Sequence, residues 1–523
     1  MNITFLETSD MHGYVSPTDY SGRTDLALGT AKVSSKLKEL RAKADGPVIT
    51  IENGDFIQGS PLSYYLAKEY GSAKELTDLI NQMSYDVQVL GNHEFNYGVD
   101  YLEEAIKNYQ APILGANMVN KNDQPYFGNA YKIIEKVGVK IAILGLTTQY
   151  IPHWEKPETL AGITFKSIVE TAKEYVPLLR KQADLVIVSY HGGFEKDLLT
   201  GEDTEALTGE NEGYELLQQV EGIDALFTGH QHRKIAETVH GVPVVQPGYR
   251  GEFIGEIRLT VEKKEGQVVV TDHQVALHSV EKSEPDPEIL AAIVPVEEKL
   301  EKWLDQPLGK VNGNMRINDP MQARLEEHPY VEFINRVQLF ASGSEISGTA
   351  LFNNEGKGFG ETITMRDVIT NYIYPNTLAV IQINGADLRA ALEQTANYLA
   401  VENNQIVFNP AFIQPKPQYY NYDMYEGIQY TIDMKQPVGQ RITELRFKGH
   451  PVLPQQMLEV VTNQYRAIGG GNYAMFGAEK IVREIQIDMT ELIADYLNIH
   501  PRIEAKVNHN FQVIFFIKFN IFF

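Results

Sequence analysis

The chain has 523 residues, 43% of them hydrophobic, no cysteine and a formal net charge of −23. Its length exceeds one ordinary hydrophobic core and predicts two domains or more. The missing cysteines exclude disulfides, thiolate metal ligands and a Cys nucleophile, and the negative surface argues against a nucleic-acid polymer as partner. A small phosphorylated substrate stays compatible if cations supply local positive charge.

In chain order, the first half alternates strand and helix signals. Apolar runs at 2–8, 47–53, 87–90, 139–146, 185–190, 225–227 and 242–246 predict strands. Segments 30–44, 75–83, 101–109 and 169–182 predict helices. This alternation points to an α/β layer structure over residues 1–280. The charged, Pro-containing stretch EKSEPDPE at 281–288 marks a boundary. An amphipathic helix follows at 289–304, and 281–310 reads as a linker and hinge. Residues 311–513 form a second, mixed α/β domain rich in tyrosine, and 514–523 form an atypical apolar tail. That tail is too short to span a bilayer. The segment after Met1 has no basic region, long apolar run or small-residue cleavage site, so the direct reading is cytoplasmic.

The chemistry gathers just past the strands. The first ends in Asp10-Met11-His12-Gly13, the second in Gly54-Asp55, and the third in Gly91-Asn92-His93-Glu94. His191-Gly192-Gly193 and Gly229-His230-Gln231-His232 follow two later strands. In open α/β sheets, ligands bind outside the carboxyl ends of the strands, so these side chains should converge. Alone, Asp10 or Asn92 reads as a helix N-cap, and His230 or His232 as an ordinary loop histidine. Together, carboxylates, imidazoles and an amide oxygen suit borderline divalent metals such as Mn²⁺, Zn²⁺ or Fe²⁺. Asp10, His12, Asp55, Asn92, His191, His230 and His232 are too many for one tetrahedral ion and suit two ions sharing a carboxylate. The glycines at 13, 54, 91, 192 and 229 are expected to let the backbone turn sharply there.

The order D-x-H, G-D, G-N-H-E, H-G-G and G-H-x-H resembles the calcineurin-like metallophosphoesterases, whose metal domain is an α-β-β-α sandwich. The resemblance implies that Asp10, His12, Asp55 and His232 bind one metal and that Asp55, Asn92, His191 and His230 bind the other. Asp55 would bridge. His93 is implied as the catalytic histidine, which stabilises charge developing at phosphorus or protonates the leaving oxygen. Glu94 is expected to support this site or the helix start. The two metals would clamp the phosphoryl oxygens and activate a water for in-line attack.

The second half is similar to the C-terminal domain of two-domain 5′-nucleotidases, in which two aromatic rings sandwich the base. Tyr372-Ile373-Tyr374-Pro375-Asn376 and Asn463-Gln464-Tyr465-Arg466-Ala467-Ile468-Gly469-Gly470-Gly471-Asn472 carry this resemblance. It implies Tyr374 and Tyr465 as the clamp, with Asn376 near the ribose or phosphate. Stacking on an aromatic face is worth about 1–3 kcal/mol per base. The stretch 420–427 is expected to be structural.

Three departures separate the chain from the 5′-nucleotidases and UDP-sugar hydrolases. Their Asn-Gly-Gly-x-Arg stretch becomes Asn353-Asn354-Glu355-Gly356-Lys357, without the arginine. Their G-G-D-G becomes Gly469-Gly470-Gly471-Asn472. The Asp that pairs with the catalytic histidine is Asn96, which can hydrogen-bond His93 but cannot stabilise an imidazolium by charge. GNHEFNYG, YIYPNTL, YNYDMYEG and NQYRAIGGGN resemble instead the bacterial 2′,3′-cyclic-nucleotide 2′-phosphodiesterase/3′-nucleotidase branch. The expected activity is hydrolysis of 2′,3′-cyclic nucleotides and 3′-nucleotides. A 5′-nucleotidase or UDP-sugar hydrolase is the nearest alternative, and a catalytically weak nucleoside-binding protein is an alternative of another class. Relatives in this branch are often exported, which is the alternative to a cytoplasmic location.

Overall fold

A computed structural model describes residues 1–515 except Ser21, Arg23, Lys156, Glu205, Ala206, Pro375, Pro415, Lys416 and Gln486. Pro375 of the expected base clamp and most of the 514–523 tail therefore lie outside the described residues. The chain divides into two compact units, Met1–Leu300 and Glu301–Phe523.

The first unit stacks two six-stranded sheets. One runs in the order Gln267–Ser279, Phe253–Lys264, Asn2–Thr8, Val48–Glu52, Val87–Val89, Ile113–Leu114. The other runs Lys234–Val239, Val242–Pro247, Ala225–Thr228, Leu185–His191, Val139–Thr147, Tyr131–Lys136. The central pairings in both sheets are parallel. Alternation along Val139–Thr147 explains why that strand is apolar throughout. Ile141 and Ile143 join Phe5, Ile51, Val89, Ile187 and Phe227 between the sheets. Ala142, Leu144 and Leu146 face the opposite way, onto Val169, Val176 and Leu216 of two covering helices. A strand buried on both faces has no polar side to show in its sequence.

Parallel pairing fixes where the loops go. Asn2–Thr8, Val48–Glu52 and Val87–Val89 point the same way, so the segments after them emerge along one edge. The hairpin Phe253–Ser279 closes the first sheet antiparallel to Asn2–Thr8; neither of its strands stands out in the alternating pattern of the sequence. The helix Pro287–Leu304 buries Ile289, Ile293 and Leu300. Its Glu297 accepts hydrogen bonds from Ser16 and Tyr20, at 2.8 and 3.3 Å. That helix is thus docked on the first unit over most of its length.

The second unit is built on a five-stranded sheet, ordered Asp423–Glu426, Ile346–Ala350, Met457–Asn463, Leu378–Asn384, Ile481–Ile485. Helices Pro329–Ser342, Gly385–Asn397 and Met489–Ile499 belong to this unit. Phe511–Ile514 ends the described chain as a strand parallel to Ile428–Asp433. No helix among the described residues is long and apolar enough to cross a membrane.

Candidate active site

The strand ends bring their polar residues into two buried groups. Asp10, His12 and His232 form one, and Asp55, His191 and His230 the other, with the potential ligand atoms in each group within 4.8 Å of one another. The groups share a neighbour. Asp55 Oδ2 is 3.1 Å from His191 Nε2 and 4.0 Å from His12 Nε2. Asn92 Oδ1 joins the second group, 2.8 Å from His230 Nδ1.

The local backbone is bent to make this possible. Asp10, His12, Asp55, His230 and His232 all have left-handed φ, between 51° and 67°. Such φ values are uncommon outside glycine and carry a cost of about 1–3 kcal/mol each, so they persist where surrounding structure holds them. Neither Asp10 nor Asn92 caps a helix through its side chain. Asp10 accepts from Ser9 Oγ at 2.5 Å and from the His230 N–H at 3.0 Å, and Asn92 makes no capping bond. The glycines divide by reason. Gly54 has the left-handed φ expected of a sharp turn, at 91°. Gly91 does not, and what it needs is closeness: a Cβ there would lie 2.2 Å from Asp55 Oδ1.

Do these residues fit divalent ions? Asp55 Oδ2 and His191 Nε2 are buried and lack a well-aligned hydrogen-bond partner, a costly arrangement unless a cation completes it. His12 Nε2 and His232 Nε2 face each other at 3.0 Å. The far side of each ring is already committed. His191 Nδ1 lies 2.5 Å from the Asn53 carbonyl, and His12 Nδ1 lies 3.0 Å from the Gln58 carbonyl. A carbonyl only accepts, so both Nδ1 atoms carry a proton, and in the neutral ring each Nε2 turns its lone pair toward the group. Burial pushes Asp55 up, but His191, His93 and His12 outweigh it and hold the carboxyl well below its usual range. Burial pulls His191 down, and Asp55 lifts it to about 10. Burial also pulls His12 down, to about 3, with Asp55 opposing and His232 and His93 assisting. One anion at the centre of buried imidazoles draws cationic charge to itself, and the residues fit two borderline divalent ions.

His93 stands beside the first group, its ring centroid 5.2 Å from that of His12 and edge-on. Its Nδ1 is 2.6 Å from Asn96 Oδ1, and Asn96 Nδ2 donates to Glu155 Oε1 at 2.5 Å.

In the second unit, register brings the two tyrosines to one end of the five-stranded sheet. Leu378, which opens one strand, pairs with Asn463, which closes its antiparallel neighbour, and the Gln464 N–H donates to Thr377 O. Tyr374 precedes the first strand and Tyr465 follows the second. Both are half-buried. Tyr374 packs edge-on against Phe352, 5.4 Å between centroids. The loop after Tyr465 runs against its ring, since a Cβ on Gly470 would come within 2.6 Å of it. The Asn376 carbonyl accepts from the Met489 N–H. Arg466, next to Tyr465 in the chain, is fully buried and pairs with Asp423 at 2.7 Å, which gives the 420–427 stretch a structural contact. Arg324 reaches the loop that lacks the expected arginine, donating to Asn354 Oδ1 and Leu351 O, both at 2.8 Å. It is buried and holds backbone.

Residues 3–234 match the calcineurin-like phosphoesterase family, and residues 307–478 match the 5′-nucleotidase, C-terminal domain. The 2′,3′-cyclic-nucleotide 2′-phosphodiesterase/3′-nucleotidase of Haemophilus influenzae is 29% identical, over 98% of this chain and 86% of its own length. The Salmonella typhimurium enzyme of the same name is also 29% identical, over 90% and 82%. The structure of a Staphylococcus aureus protein described as a candidate 5′-nucleotidase is 38% identical, with a TM-score of 0.91 over 98% of this chain and 100% of that one. The chain belongs to the two-domain calcineurin-like phosphoesterase/5′-nucleotidase family. It is a metal-dependent phosphoric-ester hydrolase of that family, with two Asp/His clusters in its phosphoesterase domain.

Several residues of this phosphoesterase domain could not be placed from sequence. Glu94 was legible as part of GNHE, but its contacts were not. Its carboxylate accepts the N–H groups of Gly91, Asp55 and Phe56 at 2.6, 2.8 and 2.6 Å, and so fastens the Asp55 loop to the Asn92 loop. Glu210 accepts from His230 Nε2 at 2.9 Å, and the Trp154 ring lies 5.4 Å from that histidine. Glu155, Trp154 and Glu210 sit in loops without any motif, so no sequence signal marked them.

Proposed function

We propose that this enzyme hydrolyses 2′,3′-cyclic nucleotides and 3′-nucleotides to nucleoside and phosphate. Asp10, His12, Asp55 and His232 would hold one divalent ion. Asp55, Asn92, His191 and His230 would hold the second. The observation that carries the reading is Asp55 Oδ2, a single buried oxygen within 4.0 Å of a histidine from each group, which suits a bridging carboxylate. When bound, such ions supply an activated water and neutralise charge on the phosphoryl oxygens. The protein's own share is orientation and proton handling. Glu94 holds the Asp55 loop, Glu210 orients His230, and His93 turns its Nε2 toward the phosphoryl group to stabilise charge or pass a proton to the leaving oxygen. Tyr374 and Tyr465 stack the base, and Asn376 lies near the ribose or phosphate. The names of the Haemophilus and Salmonella relatives, together with Asn at 96, favour the cyclic and 3′ substrates.

A second reading, 5′-nucleotidase, draws on the likeness to the Staphylococcus aureus protein. Phosphate release from 2′,3′-cyclic AMP, 3′-AMP and 5′-AMP by the metal-loaded protein separates the two. For the cyclic substrate, 3′-AMP is followed as well, because ring opening alone frees no phosphate. Faster turnover of the cyclic and 3′ substrates is expected. Faster turnover of 5′-AMP overturns the substrate assignment and leaves the metal site standing. Metal binding without turnover overturns the catalytic reading.

A further inference from the structure

Asn96 stands where the resemblance to the 5′-nucleotidases implies an aspartate beside His93, and an amide brings no charge. The structure nevertheless holds a carboxylate one step further out. Glu155 Oε1 accepts from Asn96 Nδ2 at 2.5 Å, and Asn96 Oδ1 faces His93 Nδ1 at 2.6 Å. The chemistry of this chain fixes its direction. An ionised carboxylate only accepts, so the Asn96 NH₂ must turn toward Glu155. The amide oxygen must then turn toward His93. An amide oxygen also only accepts, so His93 Nδ1 carries the proton and Nε2 is presented on the far side of the ring. Glu155 is itself held in the turn after Ile151–His153, its N–H donating to Ile151 O at 3.0 Å.

We propose that Glu155 is a positioning residue for His93, acting through Asn96, so that this chain keeps a carboxylate behind its histidine but places it one residue further away. The inference rests on the reading of His93 as the group that faces the phosphoryl centre. It carries a consequence a purely structural contact would not. The substitution Asn96→Asp would set a second carboxylate against that of Glu155 at hydrogen-bond distance, and like charges so close cannot both stay ionised cheaply. Asn96→Asp alone should therefore harm this enzyme, although it introduces the residue that the 5′-nucleotidase resemblance implies. With Glu155→Gln in the same chain, the glutamine amide can donate to the introduced aspartate, which can in turn accept from His93.

The test measures kcat and KM for the parent, His93→Ala, Glu155→Gln, Asn96→Asp and the double variant, on whichever of 2′,3′-cyclic AMP, 3′-AMP and 5′-AMP the parent turns over fastest. Glu155→Gln and Asn96→Asp are each expected to lower kcat by about tenfold with little change in KM. The double variant should recover most of that loss. The ¹⁵N shifts of His93, independent of turnover, should report the Nδ1–H tautomer in the parent and a mixture in Glu155→Gln. Parental kcat in His93→Ala overturns the underlying reading of His93. Impaired His93→Ala with parental kcat in Glu155→Gln, losses that simply multiply in the double variant, or an Nε2–H tautomer in the parent overturns the role of Glu155 alone.

Discussion

His191 Nε2 faces Asp55 Oδ2 across 3.1 Å in the interior of the first unit, and neither atom has a well-aligned hydrogen-bond partner. A shared cation would resolve that arrangement. If Asp55 bridges two ions, Asp55→Asn should reduce bound metal from about two equivalents toward none and lower kcat/KM by more than about 100-fold. Elemental analysis after gel filtration reads the stoichiometry. Loss of one equivalent with the other retained would show that Asp55 serves a single ion. Metal at about a hundred times its Kd should also raise unfolding free energy by ~2.7 kcal/mol.

Glu94 ties the Asp55 and Asn92 loops together through three short N–H bonds. Glutamine at 94 keeps the size and loses one of the two acceptor oxygens. Glu94→Gln should weaken metal affinity by about 10- to 100-fold, the range typical of groups that orient ligands. Competition with a fluorescent chelator measures this. Unchanged affinity would leave Glu94 with no part in shaping the site.

Tyr374 and Tyr465 are half-buried at the same end of one sheet. If each stacks on the base, Tyr374→Ala and Tyr465→Ala should each raise KM by about 10- to 100-fold and leave kcat within about threefold. A fall in kcat at constant KM would place these rings outside base recognition.

Glu426 gives a pH signature far from the two Asp/His groups in sequence. Burial first, then Glu332 and Glu327, raise its carboxyl from 4.5 to about 7, against the Asn508 amide, which donates to it. Arg336 pairs with Glu332, and His509 Nδ1 lies 3.9 Å from Glu327 in this neighbourhood. The folded state holds a proton here that the unfolded state has released between pH 4.5 and about 7. Its contribution to stability is therefore full below 4.5 and is lost as pH rises through about 7. Glu426→Gln should match the parent in urea midpoint at pH 4.5 and exceed it at pH 8. A gap between the two proteins that narrows as pH rises would reverse the sign.

Much of the first unit is legible in the order of its residues. The predicted strand at 2–8 is the observed Asn2–Thr8, and the helix expected at 30–44 is Thr30–Lys43. The strand is a short apolar run buried on both faces, a signal carried locally by neighbours along the chain. The hairpin Phe253–Ser279 is harder: its outer strand alternates between half-buried and exposed residues, so its apolar signal is weak. The five motifs past the strands are legible because each is contiguous and ends an apolar run. Glu155 and Glu210 are not, because a lone glutamate in a loop looks the same whether it faces water or a histidine.

The sequence by itself marked the alternation of elements and the motifs that carry Asn92 and the six residues of the two Asp/His groups, all of which are properties of neighbours along the chain. Only the tertiary structure decided that one oxygen of Asp55 lies within reach of His12 and His191, that Tyr374 and Tyr465 share a sheet end, and that a glutamate 59 residues away in sequence stands behind Asn96. These depend on strand order and loop closure, which bring together atoms whose separation along the chain carries no record of their contact.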